Sequence, residues 1–176
     1  MSISLFWILT KVPFAFRTYN LAAKVVGNLS IETPQDIKLS YITEKNKIHE
    51  KLSKEYPEEL IKDKNSKFIQ KLRNDYKYYA EKFEFEAKQK WGRQPQKDAY
   101  ESAWAYSLAA EFYDKSGNQV EASDNYHYAG NAFRNLDAIH QAINHYQKSS
   151  ELSGSRDEWK SRNDSRVKAL KKMIGE

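Results

Sequence analysis

The sequence predicts an all-α fold of antiparallel helical hairpins stacked as a short solenoid, and three observations carry that expectation. Only 6 Gly and 4 Pro interrupt 176 residues, and the frequent Ala, Lys, Glu, Gln and Leu are helix formers. Apolar residues recur at three- and four-residue steps over most of the chain, which is the period of one helix face. The breaks between these runs are short, and short connections turn neighbouring helices antiparallel. This length suits one domain with a core of its own, or a short stack of hairpins.

The elements come in order along the chain. Thr33 followed by Pro34 reads as an N-cap with proline in the first helical position, where its missing N–H is no loss. Ile37, Tyr41, Ile48 and Leu52 then share a face, leaving Lys38, Glu44, Lys45 and Lys51 elsewhere, until Pro57 ends or kinks the helix near Tyr56. After a polar stretch from Lys62 to Ser66, the residues Phe68, Ile69, Leu72, Tyr76, Tyr79, Phe83 and Ala87 predict the longest helix, running to Trp91. Gly92 and Pro95 stop it. Residues 34–92 are thus a helical region by periodicity alone.

From residue 98 to 153 the pattern changes, because small residues enter it. Ala99, Ala103, Tyr106, Ala110 and Tyr113 form one stripe and Trp104, Leu108 and Phe112 a second, so this helix has neighbours on two sides. Ser116, Gly117 and Asn118 read as a stop and restart, with Asn118 and Glu121 spaced as a capping box. The next helix carries Ala122, Tyr126, Ala129, Gly130 and Phe133. A break at Asn135 to Asp137 leads to Ile139, Ala142, Ile143, Tyr146 and Leu152, completing a hairpin that Gly154 closes. Ser155 and Glu158 offer a second capping box for a last helix over 155–174, which carries Trp159, Val167, Leu170 and Ile174. Its basic residues Arg156, Lys160, Arg162, Arg166, Lys168, Lys171 and Lys172 read as the solvated face of a terminal capping helix.

Residues 1–33 form a separate apolar segment. Ile3, Leu5, Phe6, Trp7, Ile8 and Leu9 run together, Lys11 interrupts them, and Val12, Phe14, Ala15 and Phe16 resume around Pro13. A spanning helix needs about 20 mostly apolar residues, and Lys11 with Arg17 spoils that length. A secretory signal places its positive charge before the apolar run, whereas here it comes after. Two readings stay open: the segment docks on the helices, or residues 1–17 lie in a membrane interface with Phe6 and Trp7 inserted.

Composition narrows the chemistry. With no cysteine, disulfides, thiolate zinc sites and cysteine nucleophiles are excluded, and a reducing, cytoplasmic setting suits the chain. A formal charge of +5 from 29 basic and 24 acidic residues describes a mixed surface and not a nucleic-acid footprint. His49, His127, His140 and His145 contain no HExxH arrangement, and His140 and His145 are off the four-residue spacing that aligns two ligands on one helix face. No phosphate-cradling loop and no GxSxG nucleophile turn is present. We therefore nominate no catalytic, cofactor or metal residue.

Tyr126, Ala129, Gly130, Phe133, Ala142, Tyr146 and Ser149 match the small and large positions of a tetratricopeptide repeat in type and spacing. The chain resembles that family here, and residues 128–152, YAGNAFRNLDAIHQAINHYQKSSEL, are also similar to a repeat of the soluble NSF attachment proteins. Ala or Gly at a crossing lets two helix backbones approach, and aromatics fill the gaps beside them. The resemblance implies a protein-binding adaptor or scaffold without a cofactor, whose partner is a protein or peptide. It also implies a groove lined by the exposed positions beside the repeat's Gly, which here are His127, Asn131 and Arg134. The same offset one helix earlier gives Ser107, Glu111 and Asp114, an acidic set that would repel a peptide carboxylate. The alternative is a peripheral, membrane-associated trafficking adaptor anchored by its apolar N-terminus.

Overall fold

The structure, a computed structural model, describes residues 32–62, 66–92 and 96–176. The chain divides into two units between Thr33 and Pro34, and all the helices described belong to the second. The apolar run within residues 1–17, the tip of the polar stretch at 63–65 and Pro95 lie outside the described residues.

Every element among the described residues is a helix: α1 Pro34–Glu55, α2 Glu58–Ile61, α3 Lys67–Lys90, α4 Gln96–Ser116, α5 Gln119–Asn135, α6 Ile139–Glu151 and α7 Asp157–Met173. The helix starting at Pro34 and the long one reaching Lys90 were legible from the apolar period. The four-residue α2, which Pro57 opens, was not.

Side-chain partners give the direction of each packing. Tyr41 donates to Glu86 and Tyr56 donates to Asp75 at 2.6 Å, so α1 and α3 run antiparallel. Ser102 donates to the Ala87 carbonyl at 3.0 Å and Tyr113 to Glu84 at 2.7 Å, which makes α3 and α4 antiparallel too. Tyr106 meets Tyr128 and Trp104 meets Phe133 across α4 and α5 in the same sense. Leaving the short α2 aside, α1 lies parallel to α4, with Lys38 over Trp104 and Lys45 against Glu111. Asp124, His127 and Asn131 of α5 meet Arg156 at the α7 cap position, then Asn163 and Arg166 of α7, in that order. Among the described residues each long helix thus packs antiparallel on the next, and α1 also meets α4 and α5 also meets α7.

The core changes character along this stack. Between α1, α3 and α4 it is aromatic: Phe112, fully buried, has the rings of His49, Tyr76, Tyr79 and Phe83 within 5.4–6.2 Å. Aromatic side chains bury large areas in tilted and edge contacts, and Tyr keeps its hydroxyl at a wet edge. Between α4, α5 and α6 small residues dominate. Ala103, Ala105, Ala109, Ala110, Ala122, Ala129 and Ala142 are all fully buried. Gly130 belongs with them, because a Cβ built on it would stand 2.8 Å from two ring atoms of Tyr146, itself 0% exposed.

The turns depart from the expected capping boxes. Asn118 makes no side-chain cap. Its backbone N–H instead bonds the Tyr113 carbonyl at 2.9 Å while the Gly117 N–H bonds Asp114 at 2.9 Å, the paired bonds of a Schellman turn. Gly117 takes φ +85° there. The same pair of bonds recurs at Asp137 and Ala138, where Asp137 holds φ 55°. Before α7 the cap position is Arg156 and not Ser155, and again no side chain caps it. A helix end already turned by the preceding C-cap leaves the next residue no room to adopt N-cap geometry.

Two glycine substitutions should fail for different reasons. Gly130→Ala drives a methyl into the Tyr146 ring and should cost about 1–3 kcal/mol despite alanine's better helix propensity. Gly117→Ala meets no neighbouring atom and should cost about 1–2 kcal/mol through the left-handed backbone alone. Urea denaturation of each variant reads both. A Gly130→Ala chain as stable as the parent would refute the close approach.

Candidate functional site

Most of the buried polar side chains among the described residues gather where α5, α6 and α7 meet, and the local sequence explains why. On α7 the apolar face carries Trp159, Val167 and Leu170, but a turn of that face is occupied by Asn163, which is fully buried. A buried amide is costly unless bonded, and its partners come from the two facing helices. Asn163 Nδ2 donates to Ser149 Oγ at 2.8 Å, and Asn163 Oδ1 lies 2.6 Å from His127 Nδ1. Ser149 and Ser123 each donate to the other's carbonyl at 2.7 Å, tying α6 to α5. The Trp159 indole N–H points to Ser149 Oγ at 3.3 Å.

Charge arrives through Arg166. Its guanidinium donates to Asn131 Oδ1, reaches Tyr146 Oη at 3.2 Å and stands 3.3 Å from His127 Nε2. A guanidinium only donates, so Nε2 accepts and His127 carries its proton on Nδ1, bonded to Asn163. Tyr146 in turn donates to Asn131 at 2.7 Å. His127 is 4% exposed, with its ring 4.5 Å from that of Trp159. Burial holds its pKa below the ordinary histidine value, and the nearby Arg166 and Arg162 charges add to that, against the Asn163 bond and Asp124. The neutral imidazole is therefore a structural acceptor for α7.

The six groove candidates do not form one surface. His127 points into the α5–α7 contact, half-buried Asn131 is bonded to Arg166 and Tyr146, and Arg134 alone of its set is exposed, its guanidinium 3.5 Å from Asn135 Oδ1. Ser107, Glu111 and Asp114 lie on α4. Ser107 lies 2.8 Å from His145 Nε2, and Glu111 takes Lys45 at 3.3 Å and His49 at 3.6 Å. Asp114 is exposed. The two sets thus meet different neighbours, α5 facing α7 and α4 facing α1 and α6.

His145 is a second neutral histidine. Its Nδ1–H donates to the Gln141 carbonyl at 2.7 Å and its Nε2 accepts from Ser107, with the Phe133 ring 4.9 Å away. Burial pushes its pKa down to about 4, Lys148 adding slightly, while the Gln141 bond opposes. His49 is lowered as well, first by burial and then by Lys115, with Glu111 opposing.

The sequence reading missed Asn163 and Arg166 as partners of the α5 face. Asn163 stands four residues after Trp159 and four before Val167, a polar residue in an apolar register, which is the signal that could have flagged it. Arg166, which the sequence pattern puts on the solvated basic face, is half-buried. Among the described residues no three His, Asp or Glu side chains gather where a metal ion could sit, and no helix is long and apolar enough to cross a membrane. No family model, curated protein or solved structure matches the chain.

Acid should destabilise the fold in a definite window. His145 titrates near 6.5 when unfolded and at about 4 when folded, so the unfolded chain takes up its proton first. That stabilisation is complete above pH 6.5 and is lost as pH falls toward 4, about 2 kcal/mol in all for this half-buried ring once solvent screening is allowed for. His127 and His49 act in the same direction. Urea midpoints measured from pH 7.5 to 4 should show the fall, and His145→Asn should flatten it. An unchanged slope in that variant would reject the assignment.

Proposed function

We propose that this chain is a protein-binding adaptor or scaffold, built as a short tetratricopeptide-like solenoid and acting through preorganised helical surface, not through a cofactor. The observation that carries this reading is the Gly130–Tyr146 contact. It falls at the small and large positions by which residues 126–149 resemble the repeat family, and it joins two antiparallel helices as that resemblance implies. Support also comes from the parallel pairing of α1 with α4 and of α5 with α7, the last helix closing the array through polar contacts.

Within this reading α5, flanked by α3 and α7, presents the binding stripe. His127 and Asn131 set its geometry by holding Arg166, and the exposed Tyr128 and Arg134 meet the partner. Tyr and Arg are the side chains that most often anchor protein interfaces. Preorganisation lowers the ordering cost of binding, and it is what a rigid stack supplies.

The test is capture from native lysate with the full chain as bait, alongside Tyr128→Ala/Arg134→Ala. Arg134 is exposed, whereas Tyr128 also packs on Tyr106 of α4, so the double variant should melt slightly lower than the parent and Arg134→Ala alone should melt with it. The reading expects a specific protein that the parent retains and the variant loses. Equal capture by both chains would remove this stripe as the site, and no specific capture by the parent would remove the adaptor reading.

A further inference from the structure

The two most exposed aromatic side chains among the described residues are Phe85 and Tyr78, 66% and 63% exposed, and both stand on α3. Neither contributes to the aromatic core, which α3 supplies from Tyr76, Tyr79 and Phe83 on its other side. Seven residues apart, they fall within about 20° of each other around the helix, so they make one outward row. Leaving two large rings in water on a helix that already buries its apolar face is unfavourable unless something covers them.

The charges around that row say what would cover it. At exposed positions α3 carries six basic side chains, Lys67, Lys71, Arg73, Lys77, Lys82 and Lys88, against one acid, Glu81. The whole chain is nearly balanced, at 29 basic to 24 acidic residues, so the bias belongs to this face. Lys71 and Lys82 lie within about 60° of Phe85 on one flank, and Lys77 and Lys88 within about 80° on the other. Lys77 and Lys88 have intrahelical partners in Glu81 at 3.9 Å and Glu84 at 2.6 Å. Lys71, Arg73 and Lys82 have no ion pair among the described residues.

A basic face selects an anionic partner, and the shape of the face selects among anionic partners. A docked acidic helix would need a continuous apolar seam or a groove. Here the positions between and beside the rings are Asn74 and Glu81, so a second helix would bury two rings and little else. A bilayer surface needs no groove. Aromatic rings sit favourably at headgroup depth, and lysines on both flanks reach the lipid phosphates while their alkyl stems stay in the apolar boundary.

We propose that the outward face of α3 docks on an anionic phospholipid surface, with Tyr78 and Phe85 entering the headgroup layer and Lys71, Lys77, Lys82 and Lys88 contacting lipid phosphate. The site is separate from the α5 stripe and does not depend on it. It would let one chain hold a protein partner at a membrane.

Co-sedimentation of the full chain with vesicles tests this. The chain should bind equimolar phosphatidylcholine–phosphatidylserine vesicles, bind pure phosphatidylcholine vesicles far more weakly, and release as salt rises. Tyr78→Ser/Phe85→Ser and, separately, Lys71→Gln/Lys82→Gln should each weaken binding by about tenfold or more at an unchanged melting temperature. All four positions are exposed, so folding should survive. Full binding by both variants would place the lipid contact elsewhere in the chain and overturn the proposal. So would equal binding to the two vesicle types, or no vesicle binding alongside saturable binding of polyglutamate.

Discussion

The close approach of α5 and α6 at Gly130 is the constraint on which the rest of the stack depends. A ring atom 2.8 Å from where a Cβ would stand leaves no space for any other residue, and Tyr146 cannot retreat. It is fully buried, bonded to Asn131 and faced by Arg166. The same economy of size runs through the neighbouring crossings, where fully buried alanines of α4, α5 and α6 meet. Small side chains bring backbones together, and the aromatics beside them, Phe112, Phe133 and Tyr146, then fill the wedges.

The outer elements hold to that centre by other chemistry. α1 attaches through the apolar residues of its inner face, Ile37, Tyr41, Ile48 and Leu52, and through ion pairs such as Lys45 with Glu111. α7 buries only Asn163 and Leu170. Its polar contacts form a network in which every group depends on its neighbours: Arg166 needs Asn131 and the lone pair of a neutral His127, and Asn163 needs both Ser149 and the His127 Nδ1–H. Networks of this kind specify one register strongly while adding modest net stability, because each bond replaces one to water. Apart from Leu170, with Val167 and Ile174 beside it, α7 is therefore held by bonds and not by burial.

The helices were legible in the sequence because period, Gly and Pro are local signals. Ile37 to Leu52 and Phe68 to Ala87 needed only their spacing. The orientation of His127 was not legible. A helix in a stack is covered on two sides, and spacing says which residues share a face but not which neighbour that face meets. Arg166 shows the same limit from the other direction, since a lone basic residue on a basic helix looks solvated until Asn131 and Tyr146 are placed opposite it. The capping boxes at Asn118 and Ser155 failed for a related reason. The side chains fit the pattern, but the turn geometry belonged to the preceding helix end.

Tight small-residue crossings in the middle and a polar seam at the end imply two levels of stability in one chain. Native-state hydrogen exchange reads this directly. Core amides of α4, α5 and α6 should exchange only by global unfolding, with one shared denaturant dependence, while those of α7 open earlier at lower free energy. Uniform protection from α4 through α7 would contradict the arrangement, because it would make the polar seam as strong as the crossings that centre on Gly130.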